Sequence, residues 1–284
     1  MRHTILLVAV LASLSLTAGC GQMAAIGAGA LLHPARQTTR VARPAQCEDA
    51  NFPGAGVSLR GWRCRASQPR RGTIVYLHGV ADNRGSAAGV IQRFTARGFD
   101  VIAYDSRAHG ESDGALCTYG FFEKQDLRRV VDAIPEGPIV LIGTSLGAAV
   151  ALQEAADDSR ITTIVAAEVF SDLRTVATER APRVFTRGTI DRSFARAEEE
   201  GKFKVDEVSP EKAAARIRIP VLLIHGANDV DTPPAHSERV RRALAGPSEL
   251  MLVPGAGHNH SLTGDAWRRL DAWIETHVPR AEAR

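Results

Sequence analysis

The stretch that decides the fold is IVLIGTSLGAAVALQEAA, residues 139–156. Its first four residues are aliphatic and mostly β-branched, which is typical of a buried strand. The pentapeptide GTSLG at 143–147 follows at once, and the alanine-rich remainder favours a helix. A strand, a tight turn and a helix therefore follow one another, and the two glycines allow the sharp turn that exposes Ser145. Such a turn also aims backbone N–H groups and the positive end of the helix dipole at whatever the serine attacks.

Ser145 can act as a nucleophile only if a histidine accepts its proton and an acid orients that histidine. Two later strand-like segments, 220–224 and 248–253, each run into a loop that carries such a residue. Asp229 follows the first segment and His258 follows the second. Functional loops of α/β sheets lie at the carboxyl ends of the strands. We therefore predict Ser145 as nucleophile, His258 as base and Asp229 as orienting acid.

Both partners of the serine have rivals nearby in the sequence. Asp231 is the rival acid, but it lies closer to the next predicted helix and suits a plain helix cap. His260 shares a loop with His258, which is favoured because a Gly-x-Gly lead-in gives its loop the freedom to fold back over the serine. Two further histidines are expected to support the backbone of their own loops, His78 and His225.

Acyl transfer also needs two N–H donors for the developing oxyanion. One is expected from Leu146, the residue after the serine, and the other from the loop that follows an earlier strand. That strand is predicted over 73–77, and Val80 is the expected donor through its main-chain N–H. Each such donor lowers the barrier by about 2.7–4 kcal/mol. The His-Gly pair before Val80 is by itself also typical of an ordinary strand-ending turn.

From about residue 57 to its C-terminus the chain resembles the α/β-hydrolase fold family, in its serine esterase and lipase branch. The motifs that carry the resemblance are HG at 78–79, YDSRAHGES at 104–112, GTSLG at 143–147, HGAND at 225–229 and GAGH at 255–258. The second motif departs slightly, because SRA stands where relatives often have Arg-Gly before the histidine.

The resemblance implies a mostly parallel central sheet flanked by helices, with a small helical cap insertion at about 171–216. It also implies structural rather than chemical roles for three residues of the second motif: Arg107, His109 and Ser112. The cap contains three widely spaced phenylalanines that either pack it onto the body or line an acyl pocket: Phe185, Phe194 and Phe203.

Hydrophobic periodicity predicts the same α/β fold class without the resemblance. Short apolar segments alternate with helical patterns, which indicates βαβ units and a parallel sheet covered on both faces. The predicted strands lie near 73–77, 100–104, 138–142, 161–166, 220–224 and 248–253. The predicted helices lie near 86–97, 121–134, 146–157, 233–244 and 264–277.

Residues 1–19 are predicted to be an export signal, because a basic start precedes an apolar run over 5–16. Those twelve residues are too few to span a bilayer, which takes about 20. LTAGC at 16–20 resembles the bacterial lipobox, which implies a lipoprotein whose Cys20 bears palmitate-type acyl chains. The expected location is then the cell envelope, on the outer membrane or at the periplasmic face. Simple secretion and a retained N-terminal anchor are the alternatives.

Residues 20–46 are rich first in Ala and Gly and then in Pro, Arg and Thr, which predicts a lipidated flexible tether. The remaining residues, 47–284, are expected to form one α/β-hydrolase domain. The formal net charge is only +3, so nucleic acid is not an expected partner. No Cys/His spacing is typical of a metal site. We expect a monomer without a cofactor.

Cysteine usage is consistent with export to an oxidising compartment. Cys47 and Cys64 flank a predicted hairpin. A disulfide between them would stabilise the folded state by about 3 kcal/mol in the loop-entropy model. Buried free thiols are the alternative. Cys117 is expected to stay unpaired, near the rim of the pocket.

These residues together predict a serine hydrolase. The favoured activity is that of a carboxylesterase that cleaves small to medium acyl esters through an acyl-enzyme. The same triad could run peptide or amide hydrolysis, or acyl transfer to another alcohol. A non-catalytic envelope protein that keeps the fold for binding is the alternative from a different class.

Overall fold

Runs of aliphatic residues form the central sheet in the computed structural model, which describes residues 21–280. The predicted export signal and Cys20 lie outside the described residues. The strands of the sheet are β1 Cys47–Pro53, β2 Ser58–Cys64, β3 Gly72–Leu77, β4 Phe99–Tyr104, β5 Ile139–Thr144, β6 Ile161–Ala167, β7 Val221–Gly226 and β8 Ser248–Val253.

Helices cover both faces of this sheet. The first helical segment, which we label α1, extends over 21–32. The others are α2 Ala88–Thr95, α3 Glu123–Asp132, α4 Leu146–Ala155, α5 Leu173–Glu179, α6 Arg187–Gly201, α7 Pro210–Ala214, α8 Ala235–Ala243 and α9 Gly264–His277. Two short 3₁₀ turns lie at Arg84–Ala87 and Val205–Glu207. Within residues 21–280, none of the helices has the length and apolar character that crossing a bilayer requires.

The strand order is β1-β2-β4-β3-β5-β6-β7-β8. Strand β2 runs antiparallel to both β1 and β4, and all pairs from β4 to β8 are parallel. The six strands predicted from periodicity are all present. The predicted fold class, an α/β-hydrolase fold with a mostly parallel sheet flanked by helices, is confirmed.

Alternate residues of the central strands build two separate cores, one on each face of the sheet. On β3, Val75 and Leu77 face the layer of α3 and α4, whereas Ile74 and Tyr76 face the layer of α2 and α9. A period of two is the geometry of a strand, and both sets are buried because both faces carry helices. Because the strands from β4 to β8 run parallel, their carboxyl ends lie at one edge of the sheet, and the loops that follow them gather there.

The N-terminal segment differs from the flexible tether expected over 20–46. Helix α1 packs on the domain, with Ala28 and Leu32 buried in the core. Its small residues allow this contact, because a Cβ at Gly27 would overlap the side chain of Ser193 on α6. Further on, Arg36 donates to the backbone oxygens of Ser112 and Gly114. The segment is an ordered part of the domain surface.

The cysteines divide into one pair and one free thiol within the described chain. A disulfide joins Cys47, the first residue of β1, to Cys64, the last residue of β2, and the two residues face each other directly in the hairpin register. Cys117 is free and fully buried in the core rather than at the pocket rim. Burial raises the pKa of its thiol well above the ordinary value, which keeps it protonated and unreactive.

Candidate active site

The turn between β5 and α4 holds Ser145 in a conformation that few side chains adopt. Its φ is 48° and its ψ is −112°, in a region that is unfavourable for a residue with a Cβ. The flanking glycines make the turn possible. A Cβ at Gly143 would lie 2.5 Å from the N of Ala148, and a Cβ at Gly147 would overlap the carbonyl oxygen of Leu77. The close contacts at Gly143 and Gly147 thus fix the turn, and the turn holds the serine hydroxyl at the carboxyl edge of the sheet.

Three side chains far apart in the sequence meet at this edge. The Oγ of Ser145 lies 3.1 Å from the Nε2 of His258, and the Nδ1 of His258 lies 2.7 Å from the Oδ2 of Asp229. Because a carboxylate only accepts, Nδ1 carries the ring proton and Nε2 is free to accept from the serine hydroxyl. The Asp229 carboxylate is fully buried and the His258 ring is nearly so. The arrangement can deprotonate the serine.

The environment of Asp229 keeps it ionised. Burial alone would raise the pKa of its carboxyl, but hydrogen bonds from His225, His258 and the N–H of Thr232 outweigh burial and hold that pKa below its ordinary value. The Oδ1 atom accepts from the N–H groups of Asp231 and Thr232, at 3.0 and 2.8 Å. The other oxygen is thereby left for the imidazole.

The structure places the rival residues away from the serine. Asp231 is exposed and contributes only its backbone N–H to Asp229. His260 is exposed, and its Nδ1 contacts the carbonyl of His258. His225 supports its loop as expected, since its Nε2 lies 2.7 Å from the Thr232 carbonyl. Its approach to Asp229 Oδ2, at 3.3 Å, was not predicted.

The candidate oxyanion donors lie on either side of the serine. Leu146 is the first residue of α4, so its N–H has no acceptor within the helix. Val80 follows Gly79, where a Cβ would stand 3.6 Å from the Cβ of Ser145. Within residues 21–280, no carbonyl or side chain accepts from the Val80 N–H. Both N–H groups are available to an oxygen bound beside Ser145.

His78 orients the peptide that carries the second donor. Its Nδ1 donates to the Gly79 carbonyl at 2.7 Å, and its Nε2 accepts from the N–H of Ser106 at 2.9 Å. In a trans peptide the C=O and the next N–H point in opposite directions. The Val80 N–H is therefore turned away from His78. Burial lowers the pKa of His78, which favours the neutral ring that this pattern requires.

The three residues assigned structural roles are built into the wall below the site. Arg107 pairs in bidentate fashion with Asp126, at 2.6 and 2.7 Å. His109 is fully buried and donates from Nδ1 to the Arg107 carbonyl, and Ser112 donates to the Asp105 carbonyl at 2.6 Å. None of these contacts involves a side chain of the triad.

One buried residue beside the triad was not predicted. Glu168 directly follows β6, and its Oε2 lies 4.0 Å from the Nδ1 of His258. It also binds the backbone of the loop that carries His258. The signal in the sequence was an acidic residue at the carboxyl end of an apolar strand, the same signal that pointed to Asp229.

A mostly apolar cavity of about 350 Å³ lies between α1 and the cap helices α5 and α6. Its walls include Phe185, Phe194, Ala177 and Tyr119, with Arg180 as the charged side chain among the lining residues. Phe203 instead packs in the core, with its ring 6.0 Å from that of Phe121. Two of the three cap phenylalanines thus line a cavity and the third packs the cap onto the body.

Comparisons with known proteins agree with this architecture. The model of the α/β-hydrolase fold matches residues 72–189, and the model of the prolyl oligopeptidase family matches residues 132–280. Protein YqkD of Bacillus subtilis is 31% identical over 221 residues, which is 73% of this chain and 71% of YqkD. The chain belongs to the α/β-hydrolase family.

Two further relatives are named for hydrolytic activities of their own. A monoacylglycerol lipase of Mycolicibacterium smegmatis is 25% identical, over 73% of this chain and 89% of the lipase. An esterase of Pyrococcus furiosus superposes with a TM-score of 0.69 at 23% identity, covering 87% of this chain and 98% of the esterase. At 23% identity, this superposition shows that the two proteins share a fold.

Proposed function

We propose that this protein is a serine hydrolase that cleaves carboxylic esters of small to medium acyl groups. The observation that carries the proposal is the unbroken hydrogen-bonded series from Ser145 Oγ through His258 to Asp229, at 3.1 and 2.7 Å. A serine hydroxyl in contact with a neutral imidazole that is oriented by a buried carboxylate is the arrangement that activates serine.

The geometry supports a two-step acyl transfer. As Ser145 Oγ attacks the ester carbonyl, His258 Nε2 takes its proton, and the buried Asp229 carboxylate stabilises the imidazolium that forms. The N–H groups of Val80 and Leu146 receive the negative oxygen of the tetrahedral intermediate. His258 then returns the proton to the leaving alcohol. Water, activated by the same imidazole, hydrolyses the acyl-enzyme and regenerates the serine.

We propose the apolar cavity between α1 and the cap as the acyl site. Ser145, His258 and the two oxyanion donors are not among its lining residues, so the acyl chain would extend from the serine beneath the cap to reach it. Its volume of about 350 Å³ lies at the lower end of the range of small-molecule sites, roughly 300–1,000 Å³. Its lining is dominated by aliphatic and aromatic side chains. The names of two relatives, an esterase and a monoacylglycerol lipase, point to the same chemistry.

Replacement of the nucleophile tests the proposal. Hydrolysis of p-nitrophenyl esters by Ser145→Ala should fall by about 10⁶ in kcat, whereas its unfolding transition should match that of the wild type. A fluorophosphonate probe should label the wild-type protein at Ser145 and leave the variant unlabelled. Residual ester hydrolysis within about tenfold of the wild type would assign the activity to another group, and the absence of both hydrolysis and labelling would favour a binding protein.

Amide or peptide hydrolysis is the second candidate, favoured by the match of the prolyl oligopeptidase family model to residues 132–280. The same triad can cleave an amide if the site also binds the amine side of the scissile bond. Matched pairs of N-acyl aminoacyl esters and amides separate the two. Amide turnover that is measurable and is abolished by Ser145→Ala would favour a peptidase, and ester turnover with no detectable amide turnover would favour an esterase.

We also propose that Cys20 is lipid-modified and holds the enzyme at the bacterial envelope. The support is the LTAGC sequence at 16–20, which immediately precedes the ordered helix α1. Two or more acyl chains anchor a protein stably, at about 0.8 kcal/mol for each buried methylene. Metabolic labelling with palmitate should mark the wild-type protein in the membrane fraction. Cys20→Ser should lose both the label and the membrane association, and equal labelling of the two would exclude Cys20.

A further inference from the structure

Glu168 is a buried carboxylate that pairs with no lysine or arginine among residues 21–280. The residue is 1% exposed. Across residues 21–280, the only ionisable nitrogen within 4.0 Å of its carboxylate belongs to His258. Its φ of 55° lies in the left-handed region, which is uncommon for a residue other than glycine. A buried carboxylate without a lysine or arginine partner and a strained backbone are both costly, and such features concentrate at functional sites.

The carboxylate binds three consecutive backbone N–H groups immediately after His258. Its Oε2 accepts from Asn259 at 2.5 Å, and its Oε1 accepts from His260 at 3.1 Å and from Ser261 at 3.0 Å. Asn259 itself has a φ of 63°. The loop therefore bends around the carboxylate, and this bend determines where the His258 ring stands.

The same carboxylate places a second negative charge beside the imidazole. Glu168 Oε2 lies 4.0 Å from His258 Nδ1, and Asp229 Oδ2 lies 2.7 Å from it. The remaining group on the ring is the Ser145 hydroxyl, at Nε2. His225 contacts Asp229 rather than the ring. When the ring takes the serine proton, one positive charge faces two buried carboxylates, and such preorganised charge stabilises the transition state.

We propose that Glu168 is a positioning residue that clamps the loop of His258 and stabilises the protonated imidazole during acyl transfer. This inference rests on the proposed serine hydrolase function. It assigns to β6 a second carboxylate that serves the same histidine as the Asp229 carboxylate after β7.

Glu168→Gln removes the negative charge of the side chain while nearly keeping its shape. The amide oxygen can still accept from His260 and Ser261, but the NH₂ group would face the N–H of Asn259 and the negative charge would be gone. We expect kcat to fall by about 10- to 100-fold with little change in KM. We also expect the acidic limb of the kcat/KM–pH profile to move to lower pH, by about 0.5 to 1 unit, because the protonated ring loses a stabilising charge.

Glu123→Gln is the matched control. Glu123 is equally buried, and it accepts from the N–H groups of Thr118 and Gly120 at 2.8 and 2.7 Å, with no contact to the triad. A merely structural role for Glu168 predicts the same result for both variants, a loss of thermal stability with an unmoved pH profile. Glu168→Asp keeps the charge but shortens the side chain, so it should lower kcat while leaving the acidic limb in place.

The readouts are the pH profile with a short ester and the rate at which a fluorophosphonate modifies Ser145, which needs no knowledge of the natural substrate. Slower modification of Glu168→Gln and a shifted acidic limb support the inference. Identical rates and profiles for Glu168→Gln and Glu123→Gln would overturn it while leaving the hydrolase intact. If Glu168→Gln does not fold, an unchanged kcat for Glu168→Asp overturns it. A wild-type protein that neither hydrolyses esters nor reacts with the probe would instead refute the proposed function.

Discussion

Gly147 stands against the carbonyl oxygen of Leu77 so closely that any Cβ at position 147 would overlap that oxygen. The contact joins the first turn of α4 to the end of β3, the strand whose following loop carries Val80. It therefore sets the distance between the two N–H groups proposed for the oxyanion hole. Because Gly147 has no side chain, the serine turn can pack directly against the end of the neighbouring strand β3.

Gly147→Ala should damage both stability and activity. The added methyl group must displace backbone, and overpacking of this kind costs about 1–3 kcal/mol. Chemical denaturation should show the loss, and ester hydrolysis should fall because the turn moves. Gly29→Ala is the control, since the position is helical with open space around it and alanine favours a helix by about 0.5–1 kcal/mol. Equal denaturation midpoints for Gly147→Ala and wild type would contradict the steric argument.

Asp229→Asn should inactivate the enzyme while Asp231→Asn should not. An asparagine at 229 can donate to the imidazole and thus favour the wrong tautomer, a change that lowers kcat by about 10⁴ in such triads. Asp231 offers only its backbone N–H to the site. Steady-state kinetics on one ester with both variants decide between the two acids. A comparable loss in Asp231→Asn would show that the orienting acid has been misassigned.

Narrowing the cavity under the cap should change the preferred acyl length. Ala177→Phe fills part of the cavity, so kcat/KM for octanoyl and longer p-nitrophenyl esters should fall at least tenfold relative to the acetyl ester. Val184→Phe adds a similar bulk at a cap position that is 74% exposed, and its profile should match the wild type. An unchanged chain-length profile in Ala177→Phe would separate this cavity from the acyl site.

Acid should destabilise the fold through His109. Burial, followed by the neighbouring His78, lowers the pKa of His109 to about 4. The unfolded chain therefore binds this proton first, so the stability that His109 provides is complete above about pH 6.5 and is lost as the pH falls towards 4. Between pH 6.5 and pH 4, this linked protonation lowers the free energy of unfolding by about 3 kcal/mol.

Denaturant unfolding of the wild type and His109→Asn at pH 7.5 and pH 4.5 measures this effect. The wild type should be the more stable at pH 7.5, and its advantage should shrink or reverse at pH 4.5. A stability difference that stays constant between the two pH values would mean that another group takes up the proton.

Local patterns in the sequence were sufficient for the fold, and they singled out the three residues that we propose as the triad. The strand-turn-helix pattern around Ser145 predicted the sharp turn, because glycine spacing and propensity act over a few residues. The chain order of Ser145, Asp229 and His258 predicted which loops would meet, since parallel strands all end at the same edge. Periodicity placed each central strand to within a few residues.

Features that depend on packing between distant segments were not accessible in the same way. The composition of 20–46 predicted a flexible tether, yet α1 docks because Gly27 meets Ser193, a contact no local pattern encodes. Cys117 was expected near the pocket rim and is buried in the core.

The sequence by itself therefore determined the order of the central strands and helices along the chain and the serine turn, because these follow from short-range propensity and periodicity, and it nominated Asp229 and His258 as the proposed partners of the serine. Only the tertiary structure decided that Glu168 binds the N–H of Asn259, 91 positions away, and so holds the loop of His258. It also decided that His225 reaches Asp229 and that α1 closes one wall of the cavity. Such contacts depend on the exact separation of elements across a packed core, which no single stretch of sequence contains.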